Sequence, residues 1–213
     1  SAATLDRELW IAGVPFMDSL SFTFLTFAGL QTARLALQPL FVRRRWDIRW
    51  AQPATVTGWR TWLLAGLLTM GLDIIIDPAT LRGERWFLGR IYFYPEDGVY
   101  WGVPLANFAG WALLSWTIIG VFLLLDRWVL QPRWGAWRSY PADALWGAGL
   151  FAGILAFNLA VTFAIGEMAL GLAGCAWSAL MLVPIVVRLR RWHARASREP
   201  DPALAPGGPS TAH

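Results

Sequence analysis

The chain has 213 residues, of which 56% are hydrophobic and 15% are charged, with a formal net charge of +4. Soluble domains usually carry about 25% charged residues, so the composition argues against an ordinary soluble protein. The single cysteine, Cys175, excludes an intramolecular disulfide framework. All 18 basic residues are arginines that cluster beside apolar runs, so we expect a membrane partner and no nucleic acid.

Five apolar runs are long enough to cross a bilayer, which takes about 20 helical residues. They predict helices over residues 13–37, 59–76, 100–125, 142–165 and 168–187. The expected fold class is therefore all-α: a polytopic transmembrane bundle that occupies residues 1–198. The segment 199–213 is rich in Pro, Ala and Gly, and we expect it to form a cytoplasmic tail without regular structure.

The distribution of charge predicts the orientation of these helices. Arginines are in excess after the first, third and fifth predicted helices, and such loops stay in the cytoplasm. In the remaining connections, acidic residues equal or outnumber basic ones. We therefore expect the N terminus outside, five crossings and the C terminus inside a bacterial cytoplasmic or photosynthetic membrane. The aromatic connection 77–99 is expected to lie along the membrane surface or to fold over the helix ends.

Ionisable residues within membrane helices are informative because each is expensive to bury in hydrocarbon. The predicted topology brings Asp18, Asp73, Asp77, Asn107 and Glu167 towards the same, non-cytoplasmic end. Asp73 and Asp77 are four residues apart, which places both carboxyl groups on one helix face about one turn apart. Two acids this close repel when both are ionised, so we expect one to hold a proton, as acid–base catalysis requires.

A structural role is the alternative interpretation of these two acids. In that case Asp77 ends the helix before Pro78, and Asp73 pairs with Arg82 or Arg85. The two histidines lack the spacing to another histidine or cysteine that is typical of a metal site, so no metal is expected.

Three segments resemble one known family. One is Asp73 and Asp77 separated by three apolar residues and followed by Pro78; the others are residues 100–111 (Tyr-Trp-Gly-Val-Pro-Leu-Ala-Asn-Phe-Ala-Gly-Trp) and 13–22. Together they resemble the carotenoid biosynthesis membrane proteins that include the CruF carotenoid hydratases. Leu72 stands where that family commonly has Trp. The family has further helices before the segment at 13–22, so the resemblance implies a shortened homologue.

The resemblance implies hydration of the terminal double bond of an acyclic carotenoid end group, which yields a tertiary hydroxyl. Asp73 and Asp77 would be the acid and the water-orienting base, in an order that stays open, and Asn107 would hold the water or the partner carboxyl. Such an enzyme is a lyase that needs no cofactor and binds carotenoid and lipid. The side chains expected to contact the substrate are Asp18, Tyr100, Trp101, Pro104, Phe108 and Trp111.

Two other functions stay open at this point. The 15 tryptophans, many of them near the ends of apolar runs, also suit a non-catalytic subunit that binds carotenoid or another pigment in a larger photosynthetic membrane complex. A small transporter or proton relay would use the same intramembrane acids, although no internal repeat supports it. Assaying membranes for hydroxylated carotenoid distinguishes the hydratase from the subunit.

Overall fold

The computed structural model describes residues 10–11, 14–44, 47–51, 57–86, 93–95, 98–134 and 140–196. Within these residues five long helices form the body of the protein, which confirms the predicted all-α bundle. They are α1 (Phe16–Leu37), α2 (Trp59–Thr80), α3 (Leu105–Leu125), α4 (Asp143–Ala164) and α5 (Met168–Ala196). The predicted tail 199–213 lies outside the described residues.

Four helices in the described part of the chain, α2 to α5, are long and apolar enough to cross a membrane. The first helix is of similar length but carries Gln31, Thr32 and Arg34, and it is not among the four. The apolar helices identify an integral membrane protein. The side of the membrane on which each terminus lies stays a prediction.

The central helix of the bundle is α2, which packs against the other four. Small residues allow close approach: a Cβ atom added at Gly66 would lie 2.1 Å from Cδ1 of Trp116 on α3. Two indole hydrogen bonds join the same helices. Trp62 Nε1 donates to the carbonyl oxygen of Trp116 at 2.9 Å, and Trp116 Nε1 donates to that of Leu63 at 3.0 Å. The contact between α2 and α3 is therefore tight and fixed in register.

Several predicted helix boundaries are wrong. α2 continues beyond residue 76 to Thr80, because Pro78 removes only one backbone donor from the last turn. Residues 100–104 form a tight turn rather than helix, with antiparallel bridges joining Tyr100 to Val103 and Gly98 to Gly102. α3 is extended by a π-helical turn, Asp126–Leu130, and a short helix, Gln131–Trp134. α5 continues to Ala196 because its arginine-rich end is compatible with a helix.

Two short antiparallel hairpins were not predicted: β1 (Trp10–Ile11) with β2 (Val14–Pro15), and β3 (Leu40–Arg44) with β4 (Asp47–Trp50). Asp47 ties the second hairpin to the bundle. Its carboxylate accepts hydrogen bonds from Arg49 at 2.7 and 2.8 Å and from the backbone nitrogen of Ala142 at 2.9 Å. The connection between α1 and α2 is thereby anchored at the start of α4.

The charged connections lie at two opposite ends of the bundle. At one end, Arg188 of α5 donates to backbone carbonyls at the C-terminal end of α1. At the other end, Glu167 in the α4–α5 turn pairs with Arg85 at 2.6 Å and with Arg82 at 3.4 Å. The described part of the 77–99 connection is at this second end, where Trp86 is buried against α2 and α5. This two-ended arrangement is the one that the charge pattern predicts.

Candidate active site

Two acidic side chains are buried near the C-terminal end of α2. Asp73 is 1% exposed and Asp77 is 6% exposed, on the face that the four-residue spacing predicts. Arg82 and Arg85, the expected partners in the structural interpretation, pair with Glu167 instead. No ion pair is found for either Asp73 or Asp77 within the described ranges. The alternative interpretation, in which Asp73 pairs with one of these arginines, is therefore not supported.

An amide from the neighbouring helix bridges the two acids. Asn107 lies in the first turn of α3, and its Nδ2 donates to Oδ2 of Asp73 at 2.8 Å and to Oδ2 of Asp77 at 2.9 Å. A carboxamide nitrogen has two hydrogens, so one bridge uses both of them. The structure thus brings together the three predicted side chains. Their catalytic role stays a prediction.

A tyrosine outside the membrane helices completes the cluster. The hydroxyl of Tyr94 donates to Oδ2 of Asp77 at 2.8 Å. Burial and this hydrogen bond raise the pKa of Tyr94 above its ordinary value, so the phenol keeps its proton. Tyr94 was not predicted from the sequence because it lies in an irregular connection, where no helical period relates it to Asp77. The aromatic content of residues 77–99 was the only feature of the sequence that pointed to a contact between this connection and the helix ends.

The hydrogen bonds to the two carboxyl groups are unequal. Oδ2 of Asp77 accepts two hydrogen bonds, whereas Oδ2 of Asp73 accepts one. Oδ1 of Asp73 is buried and has no hydrogen-bond partner among the described residues. Burying two uncompensated negative charges is expensive, whereas the two donors to Asp77 stabilise one charge, so the pair is most stable when it holds one proton. A buried pair in that state contains both a proton donor and a proton acceptor.

An apolar and aromatic cluster adjoins the two acids. Ile74, which follows Asp73, packs with Val103, Phe108, Tyr100 and Trp177. The rings of Tyr100 and Phe108 meet edge-on, with centroids 5.8 Å apart. Trp177 of α5 was not predicted, because helical tryptophans are more often lipid-facing or core residues. Two predicted substrate-contacting residues, Tyr100 and Phe108, are therefore placed beside α2.

The other predicted substrate residues have different surroundings. Trp101 is partly exposed and meets the ring of Tyr100 edge-on at 4.7 Å. Pro104 directly precedes α3. Trp111 stacks on Phe22 of α1 at 4.4 Å, so it fills the contact between α1 and α3. Asp18 lies in the first turn of α1, and its side chain falls outside the description.

Comparison with known proteins supplies the family. No curated protein and no solved structure has significant similarity to the chain. A family model described as carotenoid biosynthesis protein matches residues 6–186. The match extends well beyond residues 13–111, on which the resemblance rested, and it includes all three residues of the Asp73–Asn107–Asp77 bridge. The chain therefore belongs to the carotenoid biosynthesis protein family.

Proposed function

We propose that the protein hydrates the terminal carbon–carbon double bond of an acyclic carotenoid end group. The observation that carries the proposal is the buried pair of acids, Asp73 and Asp77, bridged by Asn107. In a hydrocarbon polyene the double bonds are the groups to which water can add. Hydration of such a bond requires a proton donor and a proton acceptor in one water-poor site, and the acid pair supplies both.

The reaction needs only these two groups and water. One carboxylic acid gives its proton to the less substituted alkene carbon, and the π electrons form the new C–H bond. A tertiary cation is left on the other carbon. The oxygen of water bonds to that carbon, while the second carboxylate takes the proton that the water loses. The product is a tertiary alcohol, and no oxidant or reductant is consumed.

The surroundings of the acid pair suit this chemistry. Aromatic faces attract cations, so the cluster containing Tyr100, Phe108 and Trp177 is suited to a short-lived tertiary cation. The acids lie near an end of the bundle, close to the membrane surface from which water enters. Leu105, at the start of α3, is 66% exposed on the outside of the bundle, where an apolar polyene would approach through lipid.

The proposal is tested by supplying an acyclic carotenoid to membranes that contain the wild-type protein or Asp→Asn variants. Asp73→Asn and Asp77→Asn should each abolish the hydroxylated product, because an amide keeps the size of the side chain but can neither donate a proton to the alkene nor take one from water. Glu167→Gln is the matched control: it lies at the same end but is paired with arginines, so it should retain product. Full activity in both aspartate variants would remove the acid–base role. An inactive wild-type protein would favour a non-catalytic subunit.

A further inference from the structure

We infer that Asp73 is the proton donor, that Asp77 is the base that activates water, and that Tyr94 is a positioning residue that fixes this order. The inference rests on the proposed hydration at this pair and extends it, since the spacing of the two acids alone leaves their roles interchangeable.

The first step of the argument is the number of hydrogen bonds that each acid accepts. An ionised carboxylate is only an acceptor, and each donated hydrogen bond stabilises its charged form. Oδ2 of Asp77 accepts from Tyr94 at 2.8 Å and from Asn107 at 2.9 Å. Among the residues that the structure describes, Asp73 accepts from Asn107 alone. The single negative charge of the pair is therefore better placed on Asp77.

The second step concerns Oδ1 of Asp73. This oxygen is buried, and no donor or acceptor among the described residues contacts it. A proton on Oδ1 meets no competing protein acceptor, whereas a negative charge there lacks any donor. The π electrons of an alkene are weak acceptors, so a donor without a competing partner is the kind of acid that an alkene requires. Asp73 is thus suited to the neutral state.

The third step concerns Tyr94, which acts through Asp77. Burial and the hydrogen bond to Asp77 raise the pKa of Tyr94, so its hydroxyl stays a donor. Tyr94 lies in the connection outside the membrane helices and donates to Asp77, whereas Asn107 donates to both acids. Tyr94 is therefore the group that distinguishes the two chemically identical side chains.

The roles give a balanced cycle. The O–H bond at Oδ1 of Asp73 breaks as the C–H bond forms, and the oxygen of water then bonds to the tertiary carbon. The water proton goes to the carboxylate of Asp77. One proton returns from Asp77 to Asp73 before the next turnover, over a short path because both Oδ2 atoms lie within 2.9 Å of Nδ2 of Asn107.

Infrared spectroscopy of the purified full-length protein in lipid nanodiscs tests the assignment without substrate. A protonated carboxyl group has a C=O stretching band that a carboxylate lacks. The wild-type minus variant difference spectrum should contain this band for Asp73→Asn and lack it for Asp77→Asn. The opposite pattern, or the same result for both variants, overturns the assignment. Circular dichroism and gel filtration establish that each variant is folded.

Tyr94→Phe tests the positioning role, with Tyr140→Phe, an exposed tyrosine at the opposite end, as the matched control. Tyr94→Phe should lower the rate of product formation about ten-fold, the scale of one lost hydrogen bond. It should also let Asp77 take up the proton, so that the carboxylic acid band survives in the Tyr94→Phe/Asp73→Asn double variant. Loss of the band in that variant overturns the role of Tyr94, because a merely structural tyrosine would not change the protonation of Asp77.

The two proposals fail in distinguishable ways. Product formation together with a reversed infrared pattern would overturn the assignment and leave the hydratase in place. The expected infrared pattern without any product would support the protonation states of the two acids and overturn the hydration itself.

Discussion

Asn107 in the first turn of α3 donates to Asp73 near the end of α2, across a sequence separation of 34 residues and a distance of 2.8 Å. The contact depends on the register between two helices that also exchange indole hydrogen bonds between Trp62 and Trp116. The site is therefore a property of the α2–α3 pair, and changes that separate these helices should affect stability and activity together.

Replacing Asn107 with leucine should lower both stability and product formation. The change keeps the number and branching of the side-chain heavy atoms but removes the only described donor to Asp73 and one of the two to Asp77, which costs about 1–3 kcal/mol when buried groups are left unpaired. Thermal unfolding in detergent and the carotenoid product assay measure the two effects.

Asn158→Leu is the control for that experiment. Asn158 is also buried, but within the described part of the chain its amide donates only to the carbonyl of Ile154 on its own helix, α4. It should retain product. Wild-type activity in Asn107→Leu would contradict the role assigned to the bridge.

A methyl group at Gly66 should wedge α2 away from α3. The added Cβ would lie 2.1 Å from Cδ1 of Trp116, a rigid ring that is itself held by a hydrogen bond to Leu63. Gly66→Ala should destabilise the protein by about 1–3 kcal/mol, the usual cost of overpacking, and should reduce product formation. Gly110→Ala on α3 meets nothing within 4 Å and should leave stability near the wild-type value. Equal unfolding temperatures for both variants would contradict the packing argument.

The orientation in the membrane is tested by cysteine labelling in a Cys175→Ser background. Phe93 and Tyr140 are exposed by 67% and 54% at opposite ends of the bundle. A membrane-impermeant thiol reagent added to intact cells should label Phe93→Cys, and it should label Tyr140→Cys only after permeabilisation. The reverse pattern would place the acid pair at the cytoplasmic end and contradict the orientation derived from arginine distribution.

The amino-acid sequence was sufficient for the helices and for the acid pair, because both follow from local patterns. Apolar runs of bilayer length predicted α1 to α5, and four-residue spacing placed Asp73 and Asp77 on one face. The contact with Asn107 was predicted because the topology returns the chain to the same end.

What the sequence did not predict depends on irregular backbone and on side chains from distant elements. Residues 100–104 are apolar enough for a helix, but two β-bridges and the positive φ of Gly102 make them a turn. Tyr94 reaches Asp77 from a connection without periodicity. Such contacts are set by tertiary packing, which no local pattern encodes.

The most direct test of hydration at the acid pair is turnover of an acyclic carotenoid in oxygen-18-labelled water. Membranes containing the wild-type protein should yield a carotenoid alcohol whose hydroxyl oxygen carries the label, in an anaerobic reaction without added cofactor, and Asp73→Asn membranes should yield none. An unchanged carotenoid with the wild-type protein, or a product that forms only after dioxygen is admitted and carries an unlabelled hydroxyl oxygen, would contradict hydration at the acid pair.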